Sequence, residues 1–232
     1  MKSLLRLGLC ALLLSGLCLS ARSDNPSKEA LAQLHEFIGK WNGNGTPAGK
    51  KNAVSWKETF TWGWRFKGDD AWLTLEVEGG KYLKSGELRW DDAKKVFKFI
   101  ATTKEGQKQE FEGVYKKENL TLERLDPKTN ERQQFTMNTA AEGIRFNINY
   151  KKAAGGGKLY SAIYGIQANK DGESLAASKE SKNLCVVSGG AGTMSVSYKG
   201  ESFYVCCSGC RDAFNENPEK YIKEFKAKKA KN

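Results

Sequence analysis

Trp56-Lys-Glu-Thr-Phe-Thr-Trp-Gly-Trp-Arg-Phe66 is the stretch that decides the fold. Aromatic residues stand at 56, 60, 62, 64 and 66, and those between Phe60 and Phe66 alternate with polar residues or glycine. Neighbouring side chains of a strand point to opposite faces, whereas a helix would scatter these rings around its axis. A repeat of two therefore specifies a strand with one apolar face. The alternation returns downstream at Leu73, Leu75 and Val77, at Leu88 and Trp90, at Phe97 and Phe99, and at Phe111 and Tyr115. It continues at Leu120 and Leu122, at Phe135 and Met137, and at Ile144, Phe146, Ile148 and Tyr150. Turn-forming runs such as Lys67-Gly-Asp-Asp70, Gly79-Gly80, Asp126-Pro127 and Gly155-Gly-Gly157 separate these segments. Nine or ten strands at roughly ten-residue spacing predict an antiparallel meander, which removes its exposed edges by closing into a barrel.

Upstream of this run, residues 25–37 are predicted to form a short helix with Ser27 as its N-cap and Glu29 in the first turn. His35, the single histidine of the chain, lies in that apolar-periodic stretch and reads as an ordinary helix residue. One histidine excludes two-histidine zinc sites and histidine-rich metal sites. The many carboxylates fall at alternating, outward-facing positions and form no catalytic constellation, so the protein is expected not to be an enzyme.

The N-terminus carries a different signal. Met1-Lys-Ser-Leu-Leu-Arg6 is positively charged, Leu7 to Leu19 is uncharged and mostly apolar, and Ser20-Ala-Arg-Ser23 offers small residues for cleavage. Residues 1–23 are expected to be a secretory signal peptide, cut after Ser20 or Ser23 and too short to span a bilayer. Leu9 precedes Cys10 and Leu17 precedes Cys18, so neither cysteine has the small neighbour that lipidation requires. The mature protein is expected to be periplasmic or secreted, with no integral membrane segment, in a compartment that permits disulfides. The formal charge of +11 falls to about +8 without Lys2, Arg6 and Arg22. The remaining cations are dispersed except at Lys226-Ala-Lys-Lys-Ala-Lys231, so residues 226–232 read as a solvated basic tail rather than a nucleic-acid surface.

At the first strand, Gly39, Trp41 and Gly43 resemble the Gly-x-Trp-x-Gly phrase that opens lipocalin-like barrels. The resemblance covers about residues 28–169 and implies a barrel that holds a small apolar ligand. Without it, the aromatic residues are read as the filling of the barrel. The domain is placed at residues 25–169, followed by a polar, aperiodic linker at 170–183.

The remaining cysteines are Cys185, Cys206, Cys207 and Cys210, all within 26 residues. Cys185, Cys206 and Cys210 follow C-x20-C-x3-C, with Cys207 as an addition. Converging thiolates make a site for zinc or copper(I), whereas cysteines serving as small core residues would not cluster. Met194–Tyr198 and Ser202–Val205 alternate around Lys199-Gly200-Glu201, predicting a hairpin that delivers Cys206. A helix is expected from Ser208 as N-cap through Phe214. Another follows, with Asn217 as cap, Pro218 at its first position, and Tyr221, Ile222 and Phe225 as its apolar stripe. So small a unit needs a staple of metal or disulfide. At this level three readings stand: a metal site, two disulfides in any of three pairings, or a redox pair Cys207-Ser-Gly-Cys210. Adjacent strand residues face opposite ways, so Cys206 and Cys207 cannot both reach one metal unless the strand ends at Cys206 and the turn swings Cys207 inward. Three thiolates suit copper(I), and Cys207 as a fourth candidate ligand would complete tetrahedral zinc.

Cys185-Val-Val-Ser-Gly189, Val196-x-Tyr-x-Gly200, Phe203-Tyr-Val-Cys-Cys-Ser-Gly-Cys210, Phe214 and Asn217-Pro-Glu-Lys-Tyr221 together resemble the YHS/TRASH domain. The resemblance covers about residues 183–225. It implies a small α+β, treble-clef-like module at 184–225 that handles heavy metals, with Cys185, Cys206 and Cys210 as ligands. The histidine of the YHS variant is absent, since Lys199 and Gly200 follow Tyr198, so binding would rest on thiolates. The expected class is mainly β, a lipocalin-like barrel followed by this module. The expected function is exported transition-metal binding for sequestration, trafficking or sensing. The alternative is a carrier of an apolar ligand with structural disulfides at its C-terminus.

Overall fold

The structure, a computed structural model, describes residues 25–49, 53–172 and 183–230. The expected signal peptide and most of the expected linker lie outside the described residues. Ten strands follow one another as the alternation predicts: β1 Gly39–Pro47, β2 Trp56–Lys67, β3 Asp70–Glu78, β4 Leu83–Asp91, β5 Val96–Thr103, β6 Lys108–Lys116, β7 Asn119–Leu125, β8 Arg132–Ala140, β9 Arg145–Ala153 and β10 Ser161–Lys170. Each pairs antiparallel with its sequence neighbour. β10 returns to β1 with Trp41 opposite Lys170 and Pro47 opposite Tyr164, which closes the barrel.

The inward residues of β2 illustrate what fills it. Phe60, Trp62 and Trp64 are essentially inaccessible, as are Trp41, Phe99, Phe111 and Phe146. Complete burial of a large apolar side chain contributes about 1.5–3 kcal/mol, so these rings dominate the stability of the barrel. Most meet edge-on or tilted, with Phe111 and Phe135 at 5.0 Å and Trp41 and Phe146 at 5.0 Å between ring centres, while Trp41 and Phe60 stack at 6.4 Å. A space of about 10 Å³ remains among Glu58, Phe60, Leu75, Val77, Tyr82, Tyr164 and Ile166. That is about one water, not an apolar ligand.

The N-terminal helix α1, Pro26–Ala32, is shorter than the sequence predicts, and its cap is Asn25 rather than Ser27. The Asn25 side chain accepts the Lys28 N–H, and Pro26 occupies the first helical position, where no N–H is needed. A 3-10 turn at His35–Phe37 then buries Phe37 against Phe146 and Trp62. The Phe37 carbonyl accepts the Trp41 indole N–H at 2.8 Å. His35 is exposed, with Nδ1 3.3 Å from the Ala32 carbonyl, and is not part of the cysteine cluster.

Past β10, the C-terminal unit has the hairpin β11 Met194–Tyr198 and β12 Glu201–Val205, then helices α2 Ser208–Glu216 and α3 Pro218–Lys229. Lys199 and Gly200, both at positive φ, make the two-residue turn that matches strand twist. Ser208 is the first residue of α2, and Cys207 takes the cap position expected of it. Asn217 caps α3 as predicted, accepting the Lys220 N–H. α3 runs to Lys229, so Lys226, Lys228 and Lys229 form its last turn instead of a separate tail. Cations there complement the helix dipole, and Lys226 also reaches Glu201 at 3.3 Å. Among the described residues, no helix is long and apolar enough to cross a membrane.

Candidate metal centre

The cysteines come from two local structures. Cys185 opens a tight loop in which its N–H donates to the Gly190 carbonyl at 2.7 Å and its carbonyl accepts the Gly189 N–H at 2.9 Å. Gly189 has φ 82, a conformation that needs glycine. The loop is sewn to β12 where the Val186 N–H meets the Tyr204 carbonyl at 2.8 Å. Cys206 follows the end of β12, and Cys210 lies in the first turn of α2. Strand pairing and helix start thus bring residues 185, 206 and 210 to one point.

The three sulfurs lie within 4.8 Å of one another, and Cys206 Sγ is 3.5 Å from Cys210 Sγ. A metal–sulfur bond of about 2.3 Å puts its ligand sulfurs just under about 4 Å apart, so this trio fits a thiophilic ion with little movement. Cys185 and Cys210 are fully buried, while Cys206 and Cys207 are half-buried. The four are free cysteines. Cys207 stands outside the trio, with its sulfur 4.0 Å from that of Cys206 and accepting the Trp64 backbone N–H at 3.4 Å.

The sulfurs share protons. Hydrogen bonds from the Cys206 and Cys210 thiols hold Cys185 well below the ordinary thiol range, helped by the Ser188 hydroxyl and N–H. Cys207 is lowered in the same way by Cys206 and Cys210, with further help from the Cys210 and Trp64 N–H groups. Cys206 is pushed up because it supplies protons to Cys185 and Cys207, and Cys210 is pushed up chiefly by burial. A cation that replaces the shared protons would hold all ligand thiolates ionised, which is how metal binding couples to proton release.

Sequence reasoning missed Ser188. It is buried, its hydroxyl oxygen lies 3.3 Å from Cys206 Sγ, and its N–H donates to Cys185 Sγ at 3.3 Å. Its position three residues after Cys185 is where a C-x-x-C loop would carry a second thiolate, and that spacing was the available signal.

The module is seated on the barrel rather than tethered beside it. Pairing of β1 with β2 stops at Gly39 opposite Trp62, leaving the β2 edge beyond without a partner strand on that side. The N-terminus of α2 occupies this edge. Trp64 donates to Cys207, and a Cβ on Gly209 would overlap the Trp64 carbonyl oxygen. The rings of Phe66 and Tyr221 meet at 6.4 Å, and the ion pairs Lys28–Glu224 and Lys220–Asp69, each 2.9 Å, flank the contact. One continuous apolar core runs from the barrel through Cys185, Cys210 and Phe214 to Tyr221.

No family model matches the chain, and no curated protein matches it. Among solved structures it is similar to the one described as "Crystal Structure of Rv2717c from M. tuberculosis", at 16% identity and a TM-score of 0.40, over 61% of this chain and 97% of that one.

Proposed function

We propose that this protein is an exported binder of a soft transition metal, zinc or copper(I), held by the thiolates of Cys185, Cys206 and Cys210 in a YHS/TRASH-type module. The metal is cargo rather than a catalytic cofactor, and the protein sequesters, delivers or reports it without catalysing a reaction. One observation carries the reading: three sulfurs, one of them more than twenty residues away in sequence from the others, meet within 4.8 Å in a largely buried pocket. Such convergence costs desolvation and is repaid when a cation joins the thiolates. The leader-like residues 1–23 support export. Space supports metal over an apolar barrel ligand, because the interior gap of about 10 Å³ would need aromatic side chains to move before it could admit one.

Protein purified from its export compartment is expected to contain one equivalent of metal, with thiols that react only after chelation. Serine at Cys185, Cys206 or Cys210 is expected to abolish that equivalent. Full-length protein with no metal, no uptake of zinc or copper(I), and no thiols reactive even in denaturant would overturn the reading in favour of disulfides.

A further inference from the structure

The sulfur cluster has an accessible side. Cys206 and Cys207 both line a cleft of about 260 Å³ at the seam between module and barrel, whereas Cys185 and Cys210 lie behind them, fully buried. Cys206 joins the two layers, with its sulfur 4.0 Å from that of Cys207 and 3.5 Å from that of Cys210. Met194 adds a thioether-bearing residue to the cleft lining. On the barrel side the lining includes Thr61 and the ion pair of Arg65 with Glu76 at 3.4 Å, one charge of each sign.

We propose that Cys207 is the entry ligand of the site: a soft metal ion reaches the cleft on a small zwitterionic thiol, is captured by Cys207 and Cys206, and passes to the Cys185–Cys206–Cys210 trio. This rests on the thiolate-metal reading and adds how the cargo arrives. Position argues for it. Cys207 lies outside the trio, yet it is next to a shared member of it and opens on the cleft, and its backbone neighbour Trp64 anchors it to the barrel wall. The charges of Arg65 and Glu76 complement the carboxylate and ammonium of an amino-acid thiol, and the cleft is close to the size of a small-molecule site. The exchange balances without an oxidant. The bond from metal to carrier sulfur breaks as the bond to Cys207 Sγ forms, the released carrier thiolate takes up the proton that Cys206 gives up on becoming the second ligand, and the metal keeps its oxidation state. In the second step the bond to Cys207 is replaced by bonds to Cys185 and Cys210, and the Cys210 proton passes to the released Cys207 thiolate.

The test is stopped-flow uptake of copper(I), presented as its complex with free cysteine, by the full-length protein. Cys207→Ser keeps an acceptor for the Trp64 N–H. Thr61→Trp narrows the cleft from an exposed strand position and removes no sulfur. Both are expected to load one equivalent at the wild-type equilibrium affinity, but at least about tenfold more slowly, while Cys206→Ser loses the equivalent. Uptake by Cys207→Ser at the wild-type rate overturns the proposal, as does loss of its bound equivalent, which would make Cys207 a permanent ligand. Wild-type protein that takes up neither copper(I) nor zinc from any donor overturns the metal reading and this inference together, so the two failures are distinguishable.

Discussion

Replacing Gly209 by alanine sets two physical effects against each other with opposite signs. Gly209 lies in the first turn of α2, where alanine should favour the helix by up to about 1 kcal/mol. At the seam, however, the new methyl would overlap the Trp64 carbonyl oxygen and sit 2.7 Å from its carbonyl carbon. Non-bonded carbon atoms rest at about 3.5–4.0 Å and the oxygen is nearer than the carbon, so α2 must retreat from the wall by more than about an ångström. The obstacle is the backbone of a barrel strand and cannot swing aside. Overpacking of this kind costs about 1–3 kcal/mol, and the Trp64 N–H bond to Cys207 is worth about 1 kcal/mol more. The net expectation is destabilisation by about 1–3 kcal/mol, a fall in Tm of roughly 2–12 °C for a chain of this size. Differential scanning calorimetry of wild type and Gly209→Ala measures it. An unchanged or raised Tm would mean that helix propensity wins and that the module does not press on β2, which would refute the seam between them.

Two other perturbations test the site and the barrel. Ser188→Cys places a fourth sulfur beside the trio and completes a tetrahedral set, so zinc affinity is expected to rise by at least about tenfold in a chelator competition. Unchanged affinity would show that residue 188 does not aim at the metal. Glu58 is buried at the end of the barrel opposite the module, and desolvation raises its pKa despite the Trp56 indole N–H that donates to it at 2.6 Å. The folded state therefore holds this proton at pH values where the unfolded chain has released it. Its contribution to stability falls as pH rises from the ordinary carboxylate pKa of 4.5 through the raised one. Glu58→Gln retains an acceptor for Trp56 and removes that decline, so its advantage over wild type in urea denaturation should grow with pH across this window. Parallel stability curves would show that Glu58 carries no such shift.

The barrel is legible in the chain because the alternation in Trp56–Phe66 and its successors is a local property, set by the two-residue period of an extended chain. The hairpin at 194–205 and the start of α3 at Asn217-Pro218 are legible for the same reason, since turns and caps depend on a few adjacent residues. The cap of α1 is harder to place because Asn25 and Ser27 flank Pro26, and only Asn25 sits before the residue that tolerates a missing N–H. The lysines at 226–229 read as a tail because charge alone does not reveal that Tyr221, Ile222 and Phe225 pin the helix beneath them.

The cysteine site divides along the same line. Its residue types and the i, i+4 spacing of Cys206 and Cys210 at a helix start are written in the chain, because the thiol chemistry and the geometry of one helical turn are local. Which sulfurs converge was decided by tertiary structure. β12 ends at Val205, so the backbone leaves its regular pleat at the cysteine pair and sends Cys206 to the trio and Cys207 to the wall. The seam was decided in the same way. β2 runs to Lys67 while its pairing with β1 stops at Trp62, and the unpaired edge this leaves needs a partner for its backbone groups. No local pattern announces a mismatch between two strands that form independently. It exists only once they pair, and it is what seats the sulfur cluster against the barrel.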